Sequence, residues 1–77
     1  MTNQARITEI VEKLSGKPLA IGRDESLFES GVLDSFALPD MVGALEREFS
    51  IRIPDSDLTP RKFDSIERIE AYIEMRS

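Results

Sequence analysis

Apolar residues recur at helical spacing in three parts of the chain. The first stripe, at i, i+3, i+4 and i+7, consists of Ile7, Ile10, Val11 and Leu14. It predicts a helix over about Asn3 to Ser15. Gly16 suits the C-terminal cap of that helix, and Pro18 cannot continue it.

The second stripe is the most regular in the chain and consists of Leu38, Met41, Val42, Leu45 and Phe49. It predicts a helix from about Ser35 to Ser50. Pro39 falls near the start of this helix, where few N–H groups have an intrahelical partner, so the helix can accommodate it. Because proline has no N–H, the hydrogen bond back to Ser35 is lost, and we expect an irregular first turn.

The third stripe predicts a last helix over about Ser65 to Met75 and consists of Ile66, Ile69, Tyr72 and Ile73. Just before it, Asp64 together with Glu67 fits an aspartate version of the capping box. Further upstream, residues 51–54 are predicted to be extended and residues 55–58 to form a short helix or single turn.

Between the first two helices, residues 17–33 show no sustained period and predict a long ordered loop. Asp24 or Ser26 is expected to cap a short helical turn around Leu27. These elements predict an all-α fold, a small four-helix bundle with three longer helices and one short one. At this length we expect residues 1–77 to form a single domain.

Composition narrows the function classes. The chain has no cysteine, so it has no disulfide and no thiolate chemistry, and with no histidine it lacks the commonest metal ligand and the commonest general base near neutral pH. We therefore predict no catalytic residue, no metal site and no enzymatic activity. We find neither a signal-peptide pattern nor a stretch long enough to cross a membrane, so a cytoplasmic monomer is expected.

The formal net charge is −5, and the charged residues are distributed unevenly along the chain. From residue 24 to residue 60 the only basic residues are Arg47 and Arg52, against the acidic residues Asp24, Glu25, Glu29, Asp34, Asp40, Glu46, Glu48, Asp55 and Asp57. This acidity disfavours nucleic acid or an anionic membrane as partner and favours docking onto basic protein surfaces. Since no apolar stretch is long enough, we also expect no membrane insertion.

Ser35 stands out within the acidic segment. Asp34 suits an N-cap, which places Ser35 on the first helical residue. A side chain there projects beside unpaired N–H groups and the positive end of the helix dipole, which favour an attached phosphate. Asp-Ser also opens many ordinary helices, so a plain capping role is the alternative.

The segment Leu27-Phe28-Glu29-Ser30-Gly31-Val32-Leu33-Asp34-Ser35-Phe36 resembles the attachment motif of the acyl carrier protein family, which includes peptidyl and D-alanyl carriers. The resemblance extends from about Ile7 to Ile73. It implies that Ser35, flanked by Asp34 and Phe36, carries a covalent 4′-phosphopantetheine arm, donated from coenzyme A by a phosphopantetheinyl transferase. The arm would hold acyl or aminoacyl thioesters for enzymes of fatty acid, polyketide or related biosynthesis.

The same resemblance implies a docking face for acyl-loading, condensing or tailoring enzymes with basic surfaces, made of Asp34, Phe36, Asp40, Gly43, Glu46 and Arg47. The chain departs from the fatty-acid-synthesis pattern at Ala37, Gly43 and Arg47, so a carrier for a dedicated pathway is at least as well supported. Phe36 in place of leucine, together with Pro39, favours the alternative of an unmodified carrier-like interaction module. An independent serine enzyme has almost no support because no histidine is present to activate Ser35.

Overall fold

A computed structural model of the chain describes residues 2–76. It contains three α-helices, α1 (Asn3–Ser15), α2 (Leu38–Phe49) and α3 (Ile66–Arg76). Three short 3-10 helices accompany them, Ser35–Ala37, Asp55–Asp57 and Pro60–Phe63. No strand occurs among the described residues, so the predicted all-α class is confirmed.

The first helix has the bounds that its apolar stripe predicts. Thr2 caps it, with the side-chain oxygen accepting from the N–H of Ala5 at 3.1 Å. Gly16 ends it in the left-handed conformation, with φ of 76°, and donates to the carbonyl of Glu12. Ile7 and Val11 are fully buried, so the stripe faces the core.

The apolar core draws on every part of the fold. Its buried members are Ile7, Val11, Leu27, Leu33, Leu38, Met41, Val42, Leu45, Ile53, Phe63, Ile66, Ile69 and Ile73. Leu27 and Leu33 belong to the long loop, and Ile53 belongs to the extended segment after α2. These connecting segments are therefore part of the packed core. Each of their buried aliphatic side chains contributes roughly 1.5–3 kcal/mol to the stability of the fold.

The segment predicted to form a short helix or single turn is a single 3-10 turn, Asp55–Asp57. The described residues therefore contain three α-helices, and the fourth helix of the predicted bundle is absent from them. The turn ends because Leu58 has φ of −76° and ψ of 70°, outside the helical region. A second 3-10 helix, Pro60–Phe63, follows it and brings Phe63 into the core.

The start of α3 differs from the predicted capping box. Ser65, not Asp64, is the cap, because its buried hydroxyl accepts from the N–H of Arg68 at 3.1 Å. The Asp64 carboxylate accepts instead from the hydroxyl of Ser26 at 2.6 Å, and the Asp64 carbonyl accepts from the N–H of Leu27 at 2.6 Å. The prediction was wrong because a distant segment binds Asp64 and leaves the cap to its neighbour.

The loop of residues 17–33 is ordered by hydrogen bonds at both ends. Near its start, the N–H of Leu19 donates to the Glu12 carboxylate at 2.8 Å. Near its end, the N–H of Leu33 donates to the carbonyl of Leu27 at 3.0 Å. Ser26 caps the turn around Leu27, as predicted, by accepting from the N–H of Glu29 at 2.9 Å. Across residues 2–76, no helix has the length and apolar character needed to cross a membrane.

Candidate functional site

Ser35 is the first residue of the 3-10 helix Ser35–Ala37, which leads directly into α2. Asp34 precedes it in an extended conformation, and the Asp34 carboxylate accepts from the N–H of Ala37 at 3.1 Å. The structure therefore confirms that Asp34 caps the turn and that Ser35 opens it. Ser35 is exposed to solvent.

Pro39 explains why the turn is a 3-10 helix. The N–H that would close an α-helical bond to the Ser35 carbonyl belongs to position 39, where proline has none. The N–H of Leu38 donates to that carbonyl instead, one residue earlier, and α2 begins at Leu38. The expected irregular first turn is confirmed, and the Ser35 carbonyl keeps a hydrogen bond.

Two buried leucines fix the position of this turn. Leu33 is 5% exposed and Leu38 is 6% exposed, and both belong to the core. The residues between them, from Asp34 to Phe36, are exposed. The packed interior thus anchors the turn on both sides, and the three exposed residues between the anchors are accessible to a large partner.

Packing within the fold does not explain the phenylalanine at position 36, because the Phe36 side chain is 88% exposed. An exposed aromatic ring beside the serine costs solvation, which contact with a partner would recover. Within the described residues, Met75 is the other large apolar side chain left this exposed.

The turn presents a hydroxyl without activating it. The Asp34 carboxylate already accepts a hydrogen bond from Ala37, and the sequence contains no histidine. The N–H groups of Ser35 and Phe36 open the 3-10 helix and have no intrahelical acceptor. This donor set suits a phosphate on Ser35, and the exposed position leaves room for a long arm beyond it.

Four of the predicted docking residues lie along one stripe of the exposed side of α2 and its 3-10 start: Phe36, Asp40, Gly43 and Arg47. Asp40 and Arg47 are exposed, and Gly43 is half-buried between them. A Cβ atom at Gly43 would have only the Arg47 guanidinium nearby, at 3.7 Å, so internal packing does not require glycine there. The stripe therefore presents an aromatic ring, an acid, a gap and a base, in that order.

Glu46 has a structural role that the sequence did not reveal. Its carboxylate accepts from the N–H of Ile53 at 2.8 Å, which fixes the extended segment after α2 against that helix. Glu46 is half-buried and lies beside the stripe rather than on it. Only the alternation of polar and apolar residues from Ile51 to Ile53 hints at a segment that needs such an anchor.

Comparison with known proteins gives one family and a group of relatives. Residues 5–73 match the family model described as "Phosphopantetheine attachment site". The D-alanyl carrier protein of Streptococcus sanguinis is 33% identical over 78 residues, covering 100% of this chain and 99% of that protein. The D-alanyl carrier protein of Lactobacillus acidophilus is 30% identical over 74 residues, covering 96% of this chain and 94% of that protein.

Proposed function

The chain belongs to the phosphopantetheine attachment site family, whose members carry a covalent 4′-phosphopantetheine group, and we propose that Ser35 is the residue that carries it here. Family membership makes the chain a carrier rather than an enzyme. The observation that supports Ser35 most directly is its position, exposed on the first residue of a capped helix start within the matched region.

The chain's part in the attachment is to present the Ser35 hydroxyl. A base of the transferase removes the proton, the serine oxygen bonds to the phosphorus next to pantetheine in coenzyme A, and the pyrophosphate bond breaks to release 3′,5′-ADP. Asp34 holds the turn in place through Ala37 and supplies no proton chemistry. Once attached, the group supplies a terminal thiol that forms thioesters with the cargo.

We further propose an aminoacyl cargo of the D-alanyl type. Three relatives that match over nearly their whole length are named D-alanyl carrier proteins. Ala37, Gly43 and Arg47, which depart from the fatty-acid-synthesis pattern, all lie within or beside the exposed stripe of α2. Both observations favour a dedicated carrier over one for fatty acid or polyketide synthesis.

The transferase and the enzyme that loads the cargo are proposed to dock on Asp34, Phe36, Asp40, Gly43, Glu46 and Arg47, with basic groups facing the acidic residues. Of these, Asp40 is the cleaner test of charge, because Glu46 also holds Ile53. Asp40→Lys should slow modification and remove much of its salt dependence, since exposed charges act mainly on association rate. We also propose that residues 1–77 act as one carrier domain, monomeric and cytoplasmic, where coenzyme A is supplied.

The proposed function is tested in two stages. The purified chain is incubated with coenzyme A, magnesium and a promiscuous phosphopantetheinyl transferase, and tandem mass spectrometry locates the added mass. The primed chain is then given ATP and either D-alanine with a D-alanine-activating ligase or acetate with an acyl-loading enzyme. Attachment on Ser35 followed by D-alanine loading supports the proposal. An unmodified chain would favour the interaction module, and acetyl loading alone would contradict the aminoacyl cargo.

A further inference from the structure

The exposed side of α3 carries a groove that the carrier function does not use. Its volume is about 560 Å³, and it is lined by Asp57, Arg61, Lys62, Arg68, Ala71, Tyr72, Met75 and Arg76. None of these residues belongs to the Ser35 turn or to α2. The groove combines basic side chains with an exposed apolar one, because Met75 is 84% exposed.

The basic and acidic side chains of α3 lie on different sides of the helix. Arg68, Ala71, Tyr72, Met75 and Arg76 follow one stripe along the groove. The acidic residues Glu67, Glu70 and Glu74 follow a neighbouring stripe, and the buried isoleucines form a third. The basic surface is therefore narrow, with an acidic edge beside it, on a chain of net charge −5.

Two arginines of the groove are held by groups that do not neutralise them. The Arg68 guanidinium donates to the carbonyl of Arg61 at 2.9 Å, and the Arg76 guanidinium donates to the carbonyl of Arg52 at 3.0 Å. Arg76 also lies over the Tyr72 ring, 5.9 Å from its centre. Elsewhere, Arg6 and Arg23 pair with the carboxylates of Glu48 and Glu70.

The wall of the groove is fixed as well. Tyr72 donates its hydroxyl to the Asp57 carboxylate at 2.6 Å, and Lys62 donates to the same carboxylate. The Tyr72 ring packs against the buried Phe63 ring with centroids 5.0 Å apart. Asp57 pairs chiefly with Lys62, while the exposed Arg68 and Arg76 are each held in place by a backbone carbonyl.

We propose that this groove docks an acidic segment of a partner protein that also carries a large apolar side chain. The acidic residues would pair with Arg68 and Arg76, and the apolar side chain would contact Met75 and Ala71. Charge complementarity and concave shape favour a chain segment over an anionic bilayer, because a flat bilayer would also approach the exposed carboxylates of Glu67 and Glu74 beside the groove. The groove is a second contact surface, independent of whether Ser35 is modified.

The test uses a short fluorescent peptide of aspartate and glutamate around a single leucine, added to the full chain. Binding is followed by anisotropy, and NMR chemical-shift changes locate the contact. The double variant Arg68→Gln, Arg76→Gln should weaken binding roughly tenfold or more, since each loses a charge-assisted contact. Met75→Ser should weaken it several-fold, about the effect expected from losing one apolar contact.

The matched control is Lys13→Gln with Lys17→Gln, which removes the same charge from two exposed lysines outside the groove. It should bind the peptide as the native chain does. Circular dichroism and melting temperature establish that each variant is folded. Equal weakening by both double variants, or undiminished binding without Arg68 and Arg76, would overturn the proposal.

Two other occupants give distinct results. Stronger binding to phosphatidylglycerol vesicles than to the peptide, lost with the arginines, would assign the groove to a membrane and overturn the protein-segment proposal. Self-association in analytical ultracentrifugation, lost with the same arginines, would assign it to a second copy of the chain. Ser35 modification should proceed at the native rate in the arginine variant, which keeps this test separate from that of the carrier function.

Discussion

Of the three copies of the dipeptide Asp-Ser in the chain, Asp55–Ser56 begins an isolated 3-10 turn and the other two precede α-helices. These two copies, Asp34–Ser35 before α2 and Asp64–Ser65 before α3, lead into their helices in different ways. In the first copy the aspartate caps the turn by accepting from Ala37, and the serine is exposed. In the second copy the serine caps the helix by accepting from Arg68 and is only 5% exposed. The same two residues thus exchange roles between the two sites.

The difference arises from what lies nearby in the fold. Asp64 accepts from the Ser26 hydroxyl and the Leu27 N–H, so its side chain turns toward the loop and Ser65 takes the cap. At the first site the aspartate bonds within its own turn. An exposed serine at the start of an α-helix is therefore not implied by the dipeptide, and burial distinguishes Ser35 from the structural Ser65.

The largest difference in stability should come from the two aspartates. Asp64→Ala removes a partly buried, charge-assisted hydrogen bond to Ser26 and should lower the free energy of unfolding by about 1.5–3 kcal/mol. Asp34→Ala removes only an exposed cap and should cost about 1 kcal/mol or less. Urea denaturation of both variants measures this, and an equal or reversed ranking would mean that Asp64 does not fix the loop.

The two serines should differ in the same direction by a smaller amount. Ser65→Ala removes a buried N-cap and should cost about 1 kcal/mol. Ser35→Ala should leave stability unchanged to within about 0.5 kcal/mol, since exposed substitutions away from packed features have small effects. Thermal unfolding separates the two, because about 1 kcal/mol moves the midpoint by roughly 4–8 °C in a domain of this size. A large loss for Ser35→Ala would show that this serine is structural.

The contact between Tyr72 and Asp57 should make the free energy of unfolding depend on pH. Burial, reinforced by the hydrogen bond to Asp57, raises the pKa of Tyr72 to about 12 from its ordinary 10.0. The folded state thus favours the neutral phenol, and this contribution is complete below pH 10 and lost as pH rises toward 12. The native chain should lose stability more steeply than Tyr72→Phe between these values.

In acid, the protonation of Asp57 should also lower the stability of the folded state. The hydrogen bonds from Lys62 and then Tyr72 lower the pKa of Asp57 below 3.8, so its contribution is present above that pH and lost as pH falls. Chemical denaturation across both ranges checks the two signs. Parallel curves for the native chain and Tyr72→Phe above pH 10 would remove the phenol from this account.

The sequence pattern correctly predicted the parts of the fold that are held by local contacts. The bounds of α1, the cap at Asp34 and the irregular turn before Pro39 all depend on residues within a few positions of one another. The α2 stripe likewise placed Met41 and Leu45 in the core.

Pattern failed where a distant segment decides the outcome. Ser26 lies 38 positions from Asp64, and no local spacing reveals that they meet. The bond from Ile53 to Glu46 and the bond from Tyr72 to Asp57 are similarly hidden. The contact with Ser26 explains why the predicted Asp64 cap was wrong, and the other two contacts make Glu46 and Asp57 anchors for connecting segments. The position of Ser35, in contrast, is determined locally.

Measurement of intact-protein mass shows whether Ser35 carries the prosthetic group. Native chain, Ser35→Ala, Ser65→Ala and Ser30→Ala are each incubated with coenzyme A, magnesium and a phosphopantetheinyl transferase. Ser30 is a matched control because it is exposed within the same motif. We expect one added phosphopantetheine on every chain except Ser35→Ala. Addition to Ser35→Ala, or no addition to the folded native chain, would contradict it.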